Sequence, residues 1–229
     1  GAAGGAPVGG RGGGTEGRRT ADPEARAALF ADGAAVYRAA IAAFDANGQA
    51  REGAMVRKNL SALLNDQAKV VDAATRSAVA EAAVDSAVQA LAAFDPAQEP
   101  ALWTEAQTQL GFALQGQATL AEGEAKVSGL DGAVSAFREA LDVATRAGLT
   151  RDAARIHENL AAALRARWHG EESPEAVAAL SEAVAAYRAA LEVFTATDFP
   201  EFFATTQENL TLTLKVLAER TDDEADFLA

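Results

Sequence analysis

Gln109-Leu110-Gly111-Phe112-Ala113-Leu114, followed by Ala133-Val134-Ser135-Ala136-Phe137-Arg138-Glu139-Ala140-Leu141, contains the two phrases from which the rest of the chain is built. The first recurs every fifty residues as Asn59-Leu60-Ser61, Asn159-Leu160-Ala161 and Asn209-Leu210-Thr211, each with a leucine four places on at Leu64, Leu164 and Leu214. The second recurs as Gly33-Tyr37-Ala40-Ile41, Ala83-Ala87-Ala90-Leu91 and Ala183-Tyr187-Ala190-Leu191, with the aromatic missing from the second copy. Three residues further stand Phe44, Phe94, Ala144 and Phe194. No insertion disturbs the register. Self-similarity at a fixed period of this size marks a stack of like supersecondary units.

Spacings of three, four and seven put each phrase on one stripe of a helix. Two helix types therefore alternate: a first type carrying Asn-Leu-small-x-x-Leu, and a second carrying small-x-x-x-aromatic-x-x-Ala-large. The small residue after the leucine lets a neighbour come close, and a Tyr or Phe knob beside alanines locks one helix into the groove of the next. Alanine dominates the apolar residues and is the best helix former. Valine and isoleucine rarely alternate with polar residues, so no strand pattern competes. The expected fold is all-α.

Punctuation predicts the boundaries. Asp22-Pro23-Glu24, Pro100, Ser173-Pro174-Glu175 and Pro200-Glu201 suit helix starts, with Thr150 and Asp152 serving at another. Gly48, Gly148 and the Gly129–Gly132 region read as breaks. Residues 1–21 form a Gly-rich segment expected to be a flexible tail, 22–220 the helical repeat domain and 221–229 an acidic tail.

The net charge is −13; Arg11, Arg18 and Arg19 against Glu16 give the first twenty residues +2, so the remainder carries −15. An acidic body repels phosphate backbones and anionic membranes, so nucleic-acid binding is not expected. No apolar run approaches the roughly 20 residues that span a bilayer, so no membrane insertion is expected, and the expected compartment is the cytoplasm. There is no cysteine, which excludes disulfides and thiolate chemistry. Two histidines, His157 and His169, without a carboxylate cluster define no metal site. Gly12-x-Gly14-x-x-Gly17 matches a dinucleotide pattern formally, but no strand precedes it, so no cofactor is expected. No constellation meets the geometric requirements of an active site, and the chain is read as a non-enzyme.

Helix pairs with Asn-Leu-Gly on one helix and Ala-x-x-x-Tyr-x-x-Ala-Leu on the next resemble tetratricopeptide repeats, over roughly residues 30 to 217. The period of 50 departs from that family's 34 and looks like long-period bacterial arrays, which often accompany a protease or nucleotide-hydrolysing module. The resemblance implies an α-solenoid that begins on a lone second-type helix, runs through three pairs and closes on a first-type helix. It implies a concave face on the first-type helices including Met55, Lys58, Asn65, Glu105, Phe112, Gln115, Arg155, Glu158, Arg165, Thr205, Glu208 and Lys215, with Phe112 as its exposed aromatic. The expected function is a scaffold that binds a protein or peptide there. The alternatives are a regulatory segment of a larger bacterial effector and a structural protein that self-assembles through its array ends. The family's carboxylate-holding Lys and Asn positions are largely replaced, by Thr108, Glu158 and Glu208 and by Ala62, Phe112, Ala162 and Leu212, so that clamp is not expected. The repeated asparagines are expected to bond neighbouring helices, and Trp103, Phe202 and Phe203 to staple adjacent repeats.

Overall fold

The structure is a computed structural model that describes residues 23–221. It contains α1 (Pro23–Ala46), α2 (Ala50–Ala68), α3 (Ala73–Leu91), α4 (Pro100–Ala118), α5 (Gly123–Arg146), α6 (Thr150–Arg167), α7 (Pro174–Leu191) and α8 (Pro200–Thr221). No strand occurs among the described residues. The glycine-pattern residues 12–17 and the tail segments, apart from Thr221 at the end of α8, lie outside them. Each helix packs on the next in the chain, and first-type helices also meet directly, α2 on α4 and α6 more lightly on α8. The even-numbered helices carry the first phrase and the odd-numbered ones the second.

The repeated phrases make the core. Phe137 and Tyr187 are completely buried, as are Ala83, Ala87, Ala90, Ala133, Ala140, Ala183 and Ala190. A large cluster joins α5, α6, α7 and α8 through Phe137, Ile156, Leu160, Leu164, Leu180 and Tyr187. A smaller one joins α1 to α4 through Leu60, Leu64, Val71 and Val79. Phe94 and Phe194 anchor satellites at the opposite helix ends, where Leu102 and Trp103 close on the former and Phe202 stacks on the latter at 4.9 Å. These contacts place Trp103 and Phe202 in the stapling role expected of them.

The small residue after the motif leucine sets the helix spacing. Ser61 is buried and its Oγ donates to the Ala83 carbonyl of α3 at 2.8 Å. A Cβ built on Gly111 would lie 2.6 Å from Cε1 of Phe137 on α5. Ala161 occupies the same phase beneath α7 and is fully buried.

Two boundary expectations need correction. Gly129 and Gly132 do not break a helix; both lie inside α5. A Cβ at Gly129 would come within 2.9 Å of the Ala118 Cβ, so glycine there serves close helix approach. Thr150 is the first residue of α6 and does not cap it; Leu149 holds the cap position without a side-chain bond, and the Thr150 hydroxyl reaches back to the Gly148 carbonyl at 3.5 Å. A separate expectation, that no apolar run approaches bilayer length, meets α1: within Glu24–Ala46 an 18-residue window has a mean hydropathy of 1.4, so this helix is long and apolar enough to cross a membrane by length and composition alone. The alanine-rich stretch reaches that value even though Asp32 and Arg38 interrupt every apolar run.

Other expected boundaries hold. Ser173 accepts from the Ala176 amide at 3.2 Å, and Pro100 and Pro174 sit in the first turns of their helices. Gly48 and Gly148 adopt φ of 71° and 69°. The amides that follow them, of Gln49 and Leu149, donate to Phe44 and Ala144 carbonyls at 2.9 Å each, the six-to-one bond of a Schellman turn. Asp72 accepts from the Thr75 amide at 2.8 Å, and the backbone N–H groups at this helix start hold its carboxyl below the usual range.

Two glycines of α4 are expected to respond oppositely to the same change. Gly111→Ala forces a methyl against the Phe137 ring and costs about 1–2 kcal/mol after the gain in helix propensity. Gly116→Ala meets nothing within 4 Å and stabilises by up to ~1 kcal/mol. Urea denaturation of both variants checks the signs, and the Gly111→Ala cost shrinks in a Phe137→Leu background. The Tyr187 hydroxyl is buried without a partner, so Tyr187→Phe, which reproduces the Phe137 phase, is expected to raise stability or leave it unchanged; a loss above about 1 kcal/mol in the same assay contradicts this.

Candidate functional site

The expected groove residues fall on one stripe of each even-numbered helix, three or seven positions apart. Lys58 of α2 is ion-paired with Glu105 of α4. Asn65 donates through Nδ2 to the Gln109 carbonyl at 3.5 Å. Arg165 of α6 donates through Nη2 to Oδ1 of Asn209 on α8 at 3.4 Å, and the Thr206 hydroxyl of α8 donates to Glu158 of α6. Polar bridges thus tie α2 to α4 and α6 to α8. None ties α4 to α6 among the described residues.

Depressions run along this row, and three of them hold most of the expected positions. One of about 260 Å³ lies among α2, α4 and α6, lined by Lys58, Asn59, Glu105, Phe112, Asp152, Arg155 and Asn159 among others. A second, about 550 Å³, is lined by Asn65, Lys69, Arg76, Phe112 and Gln115. The third, about 680 Å³, is lined by Gln115, Arg165, Trp168, His169, Lys215, Glu219 and Arg220, with Ala162, Ala166, Leu180, Leu212 and Val216 as apolar lining. Of the expected residues, Lys58, Asn65, Glu105, Phe112, Gln115, Arg155, Arg165 and Lys215 line these depressions. Glu158 and Glu208 line none of the three; Glu158 is held by Thr206, and Glu208 is exposed on α8. Met55 and Thr205 are exposed on the same stripe.

Two expectations about particular side chains change. Phe112 is half-buried, because its ring meets Phe137 edge-on, with centroids 5.4 Å apart and planes at 74°. The repeated asparagines do not generally bond neighbouring helices. Asn209 does, but Asn59 and Asn159 line the groove and make no side-chain hydrogen bond among the described residues.

Charge is unevenly matched along the row. In the 260 Å³ depression Lys58 and Arg155 face Glu105 and Asp152. In the largest one Arg165, Lys215 and Arg220 face Glu219 alone. Lys215 makes no ion pair among the described residues. Arg220 donates through Nη2 to the Trp168 carbonyl at 3.2 Å, while its Nη1 is buried and unpartnered. Arg220, Trp168 and His169 were not on the expected list, since their fifty-residue equivalents share no chemistry and the repeat carries no signal for them. Among the described residues no group of three His, Asp or Glu is placed to hold a metal ion.

Burial shifts two neighbouring groups in opposite senses. Desolvation lowers the His157 pKa from its ordinary 6.5, against the pull of Glu192, and its Nδ1 is buried without a partner. Desolvation raises the Glu158 carboxyl, against the Thr206 hydrogen bond and Arg155. An unfolded histidine takes up its proton near 6.5 whereas folded His157 resists it, so its contribution is lost as pH falls below about 6.5. The Glu158 contribution runs the other way: the folded carboxyl keeps its proton to higher pH than the unfolded one, so stability from it declines as pH rises past about 4.5.

The pH dependence is expected to separate the two. Urea midpoints of His157→Gln should fall less than those of the unaltered chain between about pH 7.5 and about pH 5.5; parallel curves contradict the assignment to His157. No family model matches the chain, and no curated protein matches its sequence.

Proposed function

We propose that this chain is a non-enzymatic protein-interaction scaffold, a tetratricopeptide-like α-solenoid whose even-numbered helices form a concave face that holds a peptide segment of a partner protein. The observation that carries the reading is the cationic groove on an acidic molecule. A chain of net charge −13 gathers Arg165, Lys215 and Arg220 around apolar walls with one opposing carboxylate. Placing like charges together is unfavourable unless something of opposite charge comes to meet them.

That arrangement favours an acidic peptide bearing an apolar side chain. Carboxylates would meet the guanidinium and ammonium groups, and the apolar side chain would lie on Leu180, Leu212 and Val216 beside Trp168. Asn59 and Asn159 support a backbone-reading role, because an amide both donates and accepts, as a peptide unit requires. Half-buried Phe112 stands between two of the depressions and offers a rigid surface for a second side chain.

A peptide array spanning acidic, neutral and basic segments tests this. Acidic-apolar peptides are expected to bind best, with affinity falling as salt rises. Arg155→Glu, Arg165→Glu and Lys215→Glu together should weaken that binding by at least about tenfold, about 1.4 kcal/mol. Unchanged binding by the triple variant, or a preference for basic peptides, overturns the reading.

A further inference from the structure

The two ends of the helix row are complementary halves of an interface that the chain already makes three times within itself. In α1, Leu29 is 70% and Val36 is 67% exposed. Their equivalents fifty, one hundred and one hundred and fifty residues later are Val79, Gly129 and Ala179, and Ser86, Ala136 and Ala186. All of these but Gly129 are at most 9% exposed. Gly129 identifies what covers this phase: it faces Ala118 of α4, the helix before its own. The outer face of α1 is thus the face that α3, α5 and α7 each press on a preceding first-type helix.

The outer face of α8 shows the converse. Ala54, Thr104 and Ala154 are buried, as are Ser61, Gly111 and Ala161. Their α8 equivalents, Ala204 and Thr211, are exposed. Ser61 bonds the Ala83 carbonyl of α3, and Gly111 lies against Phe137 of α5. This phase is the one that a first-type helix presses on the second-type helix after it. Among the described residues α8 has no such neighbour.

We infer that copies of this chain associate head to tail, the outer face of α8 in one molecule taking the outer face of α1 in the next. The occupant is a second copy because each bare face carries the small and aliphatic residues of the helix pairing already present at α2–α3, α4–α5 and α6–α7. Leu29, Val36, Ala204 and Thr211 are all uncharged, so the strip is desolvated without burying an ion. The contact is heterologous: each molecule keeps one free face of each kind, and growth continues past the dimer into a ring or an open filament. This surface is separate from the groove proposed for peptide binding.

Light scattering and sedimentation of the described chain across a concentration series test this. The average mass is expected to rise beyond that of a dimer. Leu29→Lys/Val36→Lys, which blocks the α1 face, and Ala204→Arg/Thr211→Arg, which blocks the α8 face, are each expected to be monomeric at unchanged helicity. An equimolar mixture of the two has one good face of each kind and should form a one-to-one dimer that grows no further. If the lysine variant loses helicity, Leu29→Gln/Val36→Gln replaces it, with at least about tenfold weaker association expected. A constant monomer mass for the unaltered chain overturns the inference, as does an α8-blocked variant that still dimerises alone, which would mean α1 pairs with α1. A monomer that instead binds neutral lipid vesicles through Leu29 and Val36 overturns it too, assigning the apolar α1 face to a bilayer.

Discussion

The close seating of a small residue beneath the next helix is the constraint on which the rest of this structure depends. Gly111 under Phe137, Ala161 beneath α7 and Ser61 bonded to Ala83 let successive helices approach until alanines fill the interface. Alanine buries little area per residue, so such a core gains its cohesion from short distances and many dispersion contacts. The large side chains are consequently few and fixed in phase. Phe137 and Tyr187 act as the knobs, and where Ala87 replaces the aromatic, Ser61 supplies a hydrogen bond to the facing backbone instead.

Much of the architecture was legible because fold and sequence share one period. The helix count, the alternation of two helix types, and the proline and serine starts at Pro100, Ser173 and Pro200 followed from the repeat and from capping chemistry. What was not legible sits where one residue type serves two physical ends. Gly48 and Gly148 turn the chain, whereas Gly129 and Gly132 admit a neighbouring helix, and spacing alone does not separate these uses. The candidate groove positions came from a family resemblance, and eight of the ten line depressions in the structure. Trp168, His169 and Arg220 were missed because they lie in the least repetitive part of each copy, near helix ends. The half-burial of Phe112 depends on Phe137 across the helix interface, a relation between two copies of different phrases that no local pattern encodes.

Electrostatics on this molecule are segregated. Ion pairs such as Arg138 with Glu182 at 2.6 Å and Arg146 with Asp142 at 2.5 Å lie on exposed surfaces, where each contributes little to stability. Arg167 serves several partners at once: it reaches Asp131 at 2.6 Å and Glu171 at 2.9 Å, and its guanidinium lies 4.2 Å from the Trp168 ring centroid. That arrangement orients Trp168 at the edge of the groove that we propose receives the partner. The neighbouring cations Arg165, Lys215 and Arg220 are left with less compensation, and so retain the capacity to attract.

Among the described residues no polar side chain joins α4 to α6 directly, which has a mechanical consequence. Elsewhere along the first-type row a lateral displacement breaks a bridge, whether Lys58 with Glu105 or Arg165 with Asn209. Between α4 and α6 the directional links pass through α5, by Gln107 to Glu139 at 2.8 Å on one side and Arg167 to Asp131 at 2.6 Å on the other. Each of those bonds joins the middle helix to one neighbour only. A lateral load on α4 therefore reaches α6 by way of the intervening helix, whereas the other neighbours of the row share it directly.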